Sequence, residues 1–222
     1  MSKVKALILG TLLLVPILIF AFVSLFGEHH FSLKTYFPKT DESGEVVFST
    51  AGDTVFHQVP DFQLTSQKGE TFTAEDLSGK IYVADFFFAT CPGICKKMSS
   101  QLVRVQEAFE NYPEVKIVSI TVNPEHDSVE VLQNYAAQYG AKEDKWYFLT
   151  GERDSIYQLA KKGFYLPVQQ VEGQQDFIHS EKFMLVDKDR NVRGIYEGTD
   201  PADVDRLVTE IRVLLDEYSK SE

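Results

Sequence analysis

The chain has 222 residues, of which 44% are hydrophobic and 13% aromatic, which is enough to bury one substantial core. Its formal net charge is −11. Such an acidic balance argues against nucleic acid as a partner, because an acidic surface repels phosphate groups. We therefore expect one globular domain that does not bind nucleic acid.

An uncharged apolar run, ALILGTLLLVPILIFAFVSLF, occupies residues 6–26. As a helix that rises about 1.5 Å per residue, it is long enough to cross a hydrocarbon core roughly 30 Å thick. Lys3 and Lys5 precede the run and Glu28 follows it, so the positive-inside rule predicts a cytoplasmic tail over 1–5. The run is longer than the usual apolar h-region of a signal peptide, lacks a clean cleavage site and is not followed by a cysteine for lipid attachment. We predict an uncleaved single-pass anchor in the cell membrane, with the soluble domain on the extracytoplasmic (periplasmic) side.

The residues after the anchor are polar and show no periodicity, which predicts a juxtamembrane linker over 27–45. His29 and His30 lie in this linker, and we interpret the pair as incidental. The folded domain is accordingly expected over 46–222.

Two buried strands flank a helix near the middle of the chain. IYVADFFF (81–88) and KIVSITV (116–122) are nearly continuous apolar segments, the pattern of strands buried on both faces. Between them, residues 92–110 carry apolar residues at spacings of three and four, which indicates an amphipathic helix. A right-handed crossover makes the two strands parallel.

The other segments alternate between strand-like and helix-like patterns. We predict a hairpin over 46–50 and 54–59, a helical turn over 74–77, a helix over 128–139 with Asp127 and Glu130 as a capping box, a strand over 146–150, a helix over 154–162, a hairpin excursion over 163–178 that turns at Glu172-Gly173, antiparallel strands over 182–187 and 192–198, and a helix over 201–218 with Pro201 in its first position. This order predicts an α/β fold, a thioredoxin-like sandwich with an N-terminal transmembrane anchor.

The chain has two cysteines, Cys91 and Cys95, after the first core strand. At the start of a helix, free N–H groups and the helix dipole stabilise a thiolate. Four positions along a helix correspond to about 6 Å on the same face, a separation that fits a disulfide and also lets two thiolates share one soft metal ion. The pattern leaves three readings open: a structural disulfide, a redox pair or part of a metal site.

A metal site needs a third ligand, and His57, His126 and His179 are the candidates. His179 lies at the entry to the strand over 182–187, a position that lies beside the cysteine helix in a thioredoxin-like sheet. Two sulfurs and one imidazole suit copper in both oxidation states. We expect His126 to lie on the surface, His57 to belong to the hairpin, and Met98 to pack in the helix core.

Four separated blocks carry a family resemblance: the C-P-x-x-C motif after an aromatic strand, TVNPEHDSVEVL, WYFLTG, and HSEKFMLVDKDRNVRGIYEGTD. Over roughly residues 55–217 they resemble the Sco/SenC family of copper chaperones for cytochrome c oxidase. The resemblance implies that Cys91, Cys95 and His179 bind copper, as Cu(I) or Cu(II). It also implies a role in delivering copper to the binuclear centre in the copper-bearing oxidase subunit, or in reducing the cysteines of that centre, with other copper-transfer proteins as further partners.

Three positions depart from the family pattern. Ile178 stands directly before His179, where the family often has Asp, with Asp176 two residues earlier. Asn123 stands where Asp is common, and Lys96 where proline often follows the second cysteine. These departures leave the implied ligands intact and affect the groups that surround them.

We expect a metallochaperone rather than a turnover enzyme. The alternative is an exported thiol–disulfide oxidoreductase acting on a partner protein. The C-x-x-x-C spacing, one residue longer than the usual redox motif, and the lack of a proline just before the strand over 182–187 count against it. A peroxiredoxin-like activity draws on Thr90 beside Cys91, but the threonine of that family lies three positions before its cysteine.

Overall fold

The computed structural model describes residues 3–26, 32–169, 177–178 and 180–220, with the backbone alone for 6–7, 23–26, 168–169 and 177–178. The chain divides into two compact units, one up to Ser32 and one from Leu33 to Glu222.

The first unit contains helix α1 (Lys3–Phe26), which includes Pro16. In the described part of the chain, α1 is the one helix that is long and apolar enough to cross a membrane. That test concerns length and composition only, which a signal sequence also satisfies. The helix is a candidate anchor at the position predicted for residues 6–26.

The second unit is built on nine described strands: β1 (Gln63–Ser66), β2 (Thr71–Thr73), β3 (Ile81–Phe87), β4 (Val115–Thr121), β5 (Trp146–Thr150), β6 (Val168–Gln169), β7 (Phe177–Ile178), β8 (Lys182–Val186) and β9 (Val192–Glu197). Seven of these strands form one sheet in the order β2-β1-β5-β4-β3-β8-β9, and β6 pairs with β7. The predicted parallel pairing of β3 with β4 is confirmed, while β8 runs antiparallel to β3. The sheet is therefore mixed.

Helices cover both faces of the sheet. One apolar cluster contains residues from α2 (Ile94–Ala108), α3 (Val129–Gln138) and α5 (Pro201–Ser219). The opposite cluster contains residues from α4 (Arg153–Gln158), the π-helical turn Leu159–Gly163 that continues it, and the 3₁₀ turn Ala74–Leu77. The predicted α/β sandwich of thioredoxin type is confirmed.

The predicted hairpin over 46–50 and 54–59 is present as isolated bridges instead of regular strands. Three neighbouring segments, which we call the three chain passes, form a cycle of backbone hydrogen bonds. Val47 N–H donates to Lys39 O, Val55 N–H to Val47 O, and Lys39 N–H to Val55 O, at 2.8 to 2.9 Å. Gly44 and Gly52, both at positive φ, allow the two turns between the passes. A cycle of single bridges does not build a ladder, so the segment contains no standard hairpin.

The folded unit begins at Leu33 rather than at residue 46. The buried Arg193 guanidinium donates to the carbonyls of Leu33 and Lys34, and the N–H of Tyr36 donates to Val192 O. The start of the segment 33–45, which was expected to belong to the linker over 27–45, thus packs on the domain because a buried cation and a strand edge bind its backbone.

The predicted capping box of α3 does not form. Ser128 is the N-cap, and its hydroxyl accepts a hydrogen bond from the Val131 N–H at 3.4 Å. The Asp127 side chain is instead fully buried and accepts hydrogen bonds from the Ala89 N–H and the Thr121 hydroxyl. The cap of α5 is confirmed, with Asp200 accepting from the Ala202 N–H and Pro201 in the first turn.

The two arms of the predicted excursion over 163–178 pair antiparallel as β6 and β7, with Val168 opposite Ile178. The turn predicted at Glu172-Gly173 lies outside the described residues.

Candidate metal centre

Cys91 and Cys95 follow the carboxyl end of β3, an interior strand of the sheet. A tight turn comes first, closed by a hydrogen bond from the Cys91 N–H to Phe88 O at 3.2 Å. Helix α2 then begins at Ile94 after Gly93, whose extended φ of −142° is not helical. The helix predicted from residue 92 therefore starts two residues later, and Cys91 faces the N-terminus of α2 from outside it.

The two cysteines are free thiols and are 5% and 6% exposed. The N–H of Cys95 donates to Sγ of Cys91 across 3.4 Å. Met98 lies in the same apolar cluster and is fully buried, as expected for a core residue. Both sulfurs thus lie at the first turn of α2, at the edge of the core.

The two thiols differ in acidity. Burial raises the pKa of Cys91, but hydrogen bonds from the Cys95 N–H and thiol and from the Gly93 and Ile94 N–H groups outweigh it, so the pKa lies below its usual value. Burial raises the pKa of Cys95 to about 12, and the hydrogen bond to Cys91 and the charge of Asp85 add to this effect. Cys91 is therefore the more reactive thiolate, while Cys95 retains its proton.

A buried carboxyl lies in β3 within the electrostatic range of Cys95. Asp85 is 1% exposed and accepts a hydrogen bond from the Ser119 hydroxyl, which in turn accepts one from the indole N–H of Trp146 at 2.9 Å. Burial raises the pKa of Asp85 to about 7. The sequence signal for this group is a single carboxylate inside the apolar run IYVADFFF, a position to which apolar periodicity assigns no role.

The predicted ligand His179 lies outside the described residues, as do His29 and His30. The strand that follows His179 is described. In the antiparallel register of β8 and β3, Met184 lies opposite Ala84 and Val186 opposite Tyr82. The first residues of β8 therefore lie towards the carboxyl end of β3, which is the end that leads into Cys91.

The other two candidate histidines have partners of their own. The Nε2 atom of His57 lies 3.2 Å from Gly163 O, and its ring packs against Tyr165. His126 is exposed, with its Nδ1 atom 3.2 Å from the Asn123 side-chain oxygen. Within the described ranges, no cluster of three or more His, Cys, Asp or Glu residues is arranged to hold a metal ion. His57 and His126 are therefore not grouped with the cysteines as ligands.

Two thiols at one helix turn can do two things chemically. They provide two soft sulfur donors for a metal such as Cu(I), which needs at least one further ligand to complete a site. They can also be oxidised to a disulfide. The different acidities of the two thiols favour Cys91 as the attacking thiolate in a thiol–disulfide exchange reaction.

The fold and this site define a thioredoxin-like protein with a dithiol after strand β3. Residues 51–216 match the family model described as SCO1/SenC. The chain belongs to the SCO1/SenC family.

Three relatives illustrate the match. The SCO1 protein homolog of Bacillus subtilis (strain 168) is 33% identical over 163 residues, which cover 72% of this chain and 84% of the relative. The structure of BsSco, described as a member of the Sco family of cytochrome c oxidase assembly proteins with a disulfide switch, is 32% identical with a TM-score of 0.62, covering 70% of this chain and 92% of that one. The Arabidopsis thaliana ScoI structure with copper bound is 26% identical with a TM-score of 0.58, covering 70% and 99%.

Proposed function

We propose that this chain is a membrane-anchored copper-binding metallochaperone that helps assemble the binuclear copper centre of cytochrome c oxidase. Family membership, the copper-bound ScoI relative and the assembly role named for BsSco support the proposal. The observation that carries it is the pair of free, nearly buried thiols at one helix turn, with the Cys95 N–H bonded to Cys91 Sγ. Two adjacent sulfur donors suit a soft metal ion as cargo.

His179 is proposed as the third ligand. Its position three residues before β8 supports this assignment, because the start of β8 lies towards the same end of β3 as the cysteines. An imidazole added to two sulfurs gives a donor set that accepts both Cu(I) and Cu(II). The copper-bearing oxidase subunit is the proposed recipient of the copper, with other copper-transfer proteins as donors.

The proposed location is the cell membrane, with α1 as the anchor and the copper domain on the extracytoplasmic side. Lys3 and Lys5 before the apolar run and Glu28 after it support this orientation. Fusion of a reporter that is active only outside the cytoplasm to Glu222 tests it. An inactive reporter on an intact fusion protein contradicts it.

Thiol–disulfide exchange is the second candidate function, favoured by the different acidities of the two cysteines. The Cys91 thiolate attacks a disulfide of the partner, forming a mixed disulfide and releasing one partner thiolate. Cys95, on losing its proton, then attacks the Cys91 sulfur and releases the second partner thiol, so two electrons pass from this dithiol to the partner. This reaction reduces a pair of cysteines before copper enters them.

Copper titration of the reduced full chain in detergent, without oxygen and against a Cu(I) chelator, tests the main proposal. We expect one Cu(I) per chain, with Cys91→Ser, Cys95→Ser and His179→Ala each weakening binding by roughly tenfold or more. His57→Ala and His126→Ala are the matched controls and leave the affinity unchanged. A wild-type chain that takes up no copper under these conditions contradicts the copper function.

A further inference from the structure

Asp127 connects the ends of the two central strands. Its side chain is fully buried, and its Oδ2 atom accepts hydrogen bonds from the Ala89 N–H at 3.0 Å and from the Thr121 hydroxyl. Phe87 lies opposite Thr121 in the parallel register of β3 and β4, so both donors lie at the same edge of the sheet. One carboxylate oxygen therefore joins the loop after β3 to the last residue of β4.

The loop that Asp127 holds is the turn that carries Cys91. Ala89 is the second residue of the turn Phe88 to Cys91, which is closed by the hydrogen bond from the Cys91 N–H to Phe88 O. The Phe88 backbone also hydrogen-bonds the Cys95 sulfur. A displacement of this turn consequently changes the positions or the hydrogen bonds of both sulfurs.

The hydrogen bonds of Asp127 are unequally distributed between its two oxygens. The Oδ1 atom is buried and has no hydrogen-bond partner in the described part of the chain. An unpaired buried polar atom typically costs about 1–3 kcal/mol. A helix cap at α3 would not require Asp127 to be buried with an unpaired oxygen. A role in holding the cysteine turn explains why the side chain is buried despite this loss of free energy.

We propose that Asp127 is a positioning residue for the dithiol: by accepting the Ala89 N–H, it fixes the turn that sets Cys91 against Cys95. The inference deepens the proposed copper function and rests on it for its relevance to metal binding. The contact that carries it, between the Ala89 N–H and the Asp127 carboxylate, involves none of the three proposed ligands directly.

Three variants of the full chain separate positioning from general stability. Asp127→Ala removes the acceptor, and Asp127→Asn keeps an oxygen in its place. Asp187→Ala is the matched control, because Asp187 is also a buried carboxylate that accepts backbone N–H groups, here those of Asp189 and Asn191. Asp187 directly follows Val186, which pairs with Tyr82 near the start of β3, at the opposite end of that strand from Cys91.

Two readouts are needed, and the first does not involve copper. In a glutathione buffer, the protein dithiol and oxidised glutathione give the protein disulfide and two molecules of reduced glutathione, and the equilibrium constant is measured by thiol labelling. The second readout is Cu(I) affinity against a chelator. If the wild-type chain fails to bind copper, the proposed function fails, while the glutathione readout still tests the positioning role.

We expect Asp127→Ala to shift the glutathione equilibrium about fivefold towards the disulfide, because loosening the turn weakens the hydrogen bonds that stabilise the reduced form. Its Cu(I) affinity is expected to fall about tenfold, as is usual when a group that orients metal ligands is lost. Asp127→Asn stays within about twofold of wild type in both readouts, since the acceptor is retained. Asp187→Ala lowers the unfolding free energy without changing either value.

A wild-type equilibrium constant in folded Asp127→Ala overturns the proposal, and so does an equal shift in Asp187→Ala. If Asp127→Asn shifts as far as the alanine variant, charge and not hydrogen bonding is responsible, which also overturns it. Should Asp127→Ala fail to fold, Thr121→Val replaces it, since it removes the other donor to the same oxygen. That variant is expected to shift the equilibrium about twofold in the same direction, and an unchanged constant contradicts the inference.

Discussion

Asp85 of β3 and Ser119 of β4 lie opposite each other in the parallel register, and the Ser119 hydroxyl donates a hydrogen bond to the Asp85 carboxylate. The indole N–H of Trp146 completes the chain by donating to Ser119. Burial nevertheless raises the pKa of Asp85 to about 7, because a single hydroxyl replaces little of the hydration of a carboxylate. The folded protein therefore holds a carboxyl group that titrates near neutrality and whose charge acts on Cys95.

This titration predicts a pH-dependent stability. Between the ordinary pKa of 3.8 and the folded value of about 7, the folded state binds more protons than the unfolded state, so the unfolding free energy falls as the pH rises through this window. The upper limit of the fall is about 4 kcal/mol, at 1.36 kcal/mol per pKa unit. Urea unfolding at several pH values measures it. Asp85→Asn should flatten the pH dependence of the unfolding free energy. The control Asp216→Asn, at the exposed end of α5, should leave that dependence unchanged. A steep pH profile in Asp85→Asn would contradict the assignment of the titration to Asp85.

The acidity difference predicts an order of reaction at the dithiol. At pH 8, Cys91 should react with iodoacetamide about tenfold faster than Cys95, because the alkylating agent reacts with the thiolate. Fragmentation mass spectrometry of the singly labelled peptide identifies which cysteine carries the label. Equal labelling of the two positions at short times is the opposing result.

The buried cation that binds the start of the domain should be important for stability. Arg193 pairs with Asp187 and Glu217 in addition to its bonds to the Leu33 and Lys34 carbonyls. Arg193→Met leaves a buried carboxylate unpaired, which typically costs about 3–5 kcal/mol. Urea unfolding of the variant measures the loss.

Lys182→Met is the control for Arg193→Met. Lys182 of β8 pairs with Glu197 of β9, the strand that contains Arg193, but the Lys182 side chain is 44% exposed. An exposed pair of this kind contributes about 0–1 kcal/mol. Equal losses in the two variants would show that burial of Arg193 does not determine its contribution.

Lys145 offers a second comparison of a buried and an exposed cation. Its ammonium group donates to the carbonyls of Phe109, Tyr112 and Val115, which follow the end of α2 and lead into β4. Lys145→Met removes the donor from three carbonyls, and we expect a loss of about 2–4 kcal/mol. Lys142→Met, which loses an exposed ion pair with Glu110, should lose less than about 1 kcal/mol. Thermal unfolding compares them, and similar melting temperatures would contradict the prediction.

Periodicity predicted the centre of the fold well. The strands β3 and β4 and the helix between them follow from apolar spacing, because these elements are buried on predictable faces. The cap of α5 followed from Asp200 and Pro201, whose roles are local. Wherever a residue acts through its nearest neighbours in sequence, the pattern was sufficient.

The same spacing rules failed for residues whose partners are distant in the sequence. Asp127 reads as a helix cap, but Ala89, 38 positions earlier in the chain, binds its carboxylate. The segment 33–45 reads as a polar linker, but Arg193, some 160 positions away, binds its backbone. Rules based on local sequence spacing do not predict partners at such distances along the chain.

The chain also contains a short internal repeat. SGEVVFS (43–49) and AGDTVFH (51–57) share a glycine, an acidic residue and a Val-Phe pair at a spacing of eight residues. The structure uses this spacing directly, since Val47 and Val55 occupy equivalent places in the cycle of three chain passes. Two copies of seven residues are much shorter than the repeats of about 20 residues or more that indicate a repeat architecture, so this repeat by itself predicts no fold class.

Copper X-ray absorption spectroscopy on the Cu(I)-loaded full chain and its His179→Ala variant tests the proposed copper site directly. We expect two sulfur ligands from Cys91 and Cys95 and one nitrogen ligand in the wild type, with the nitrogen lost in the variant and both sulfurs kept. A spectrum without sulfur ligands, or a nitrogen contribution that persists unchanged in His179→Ala, would contradict it.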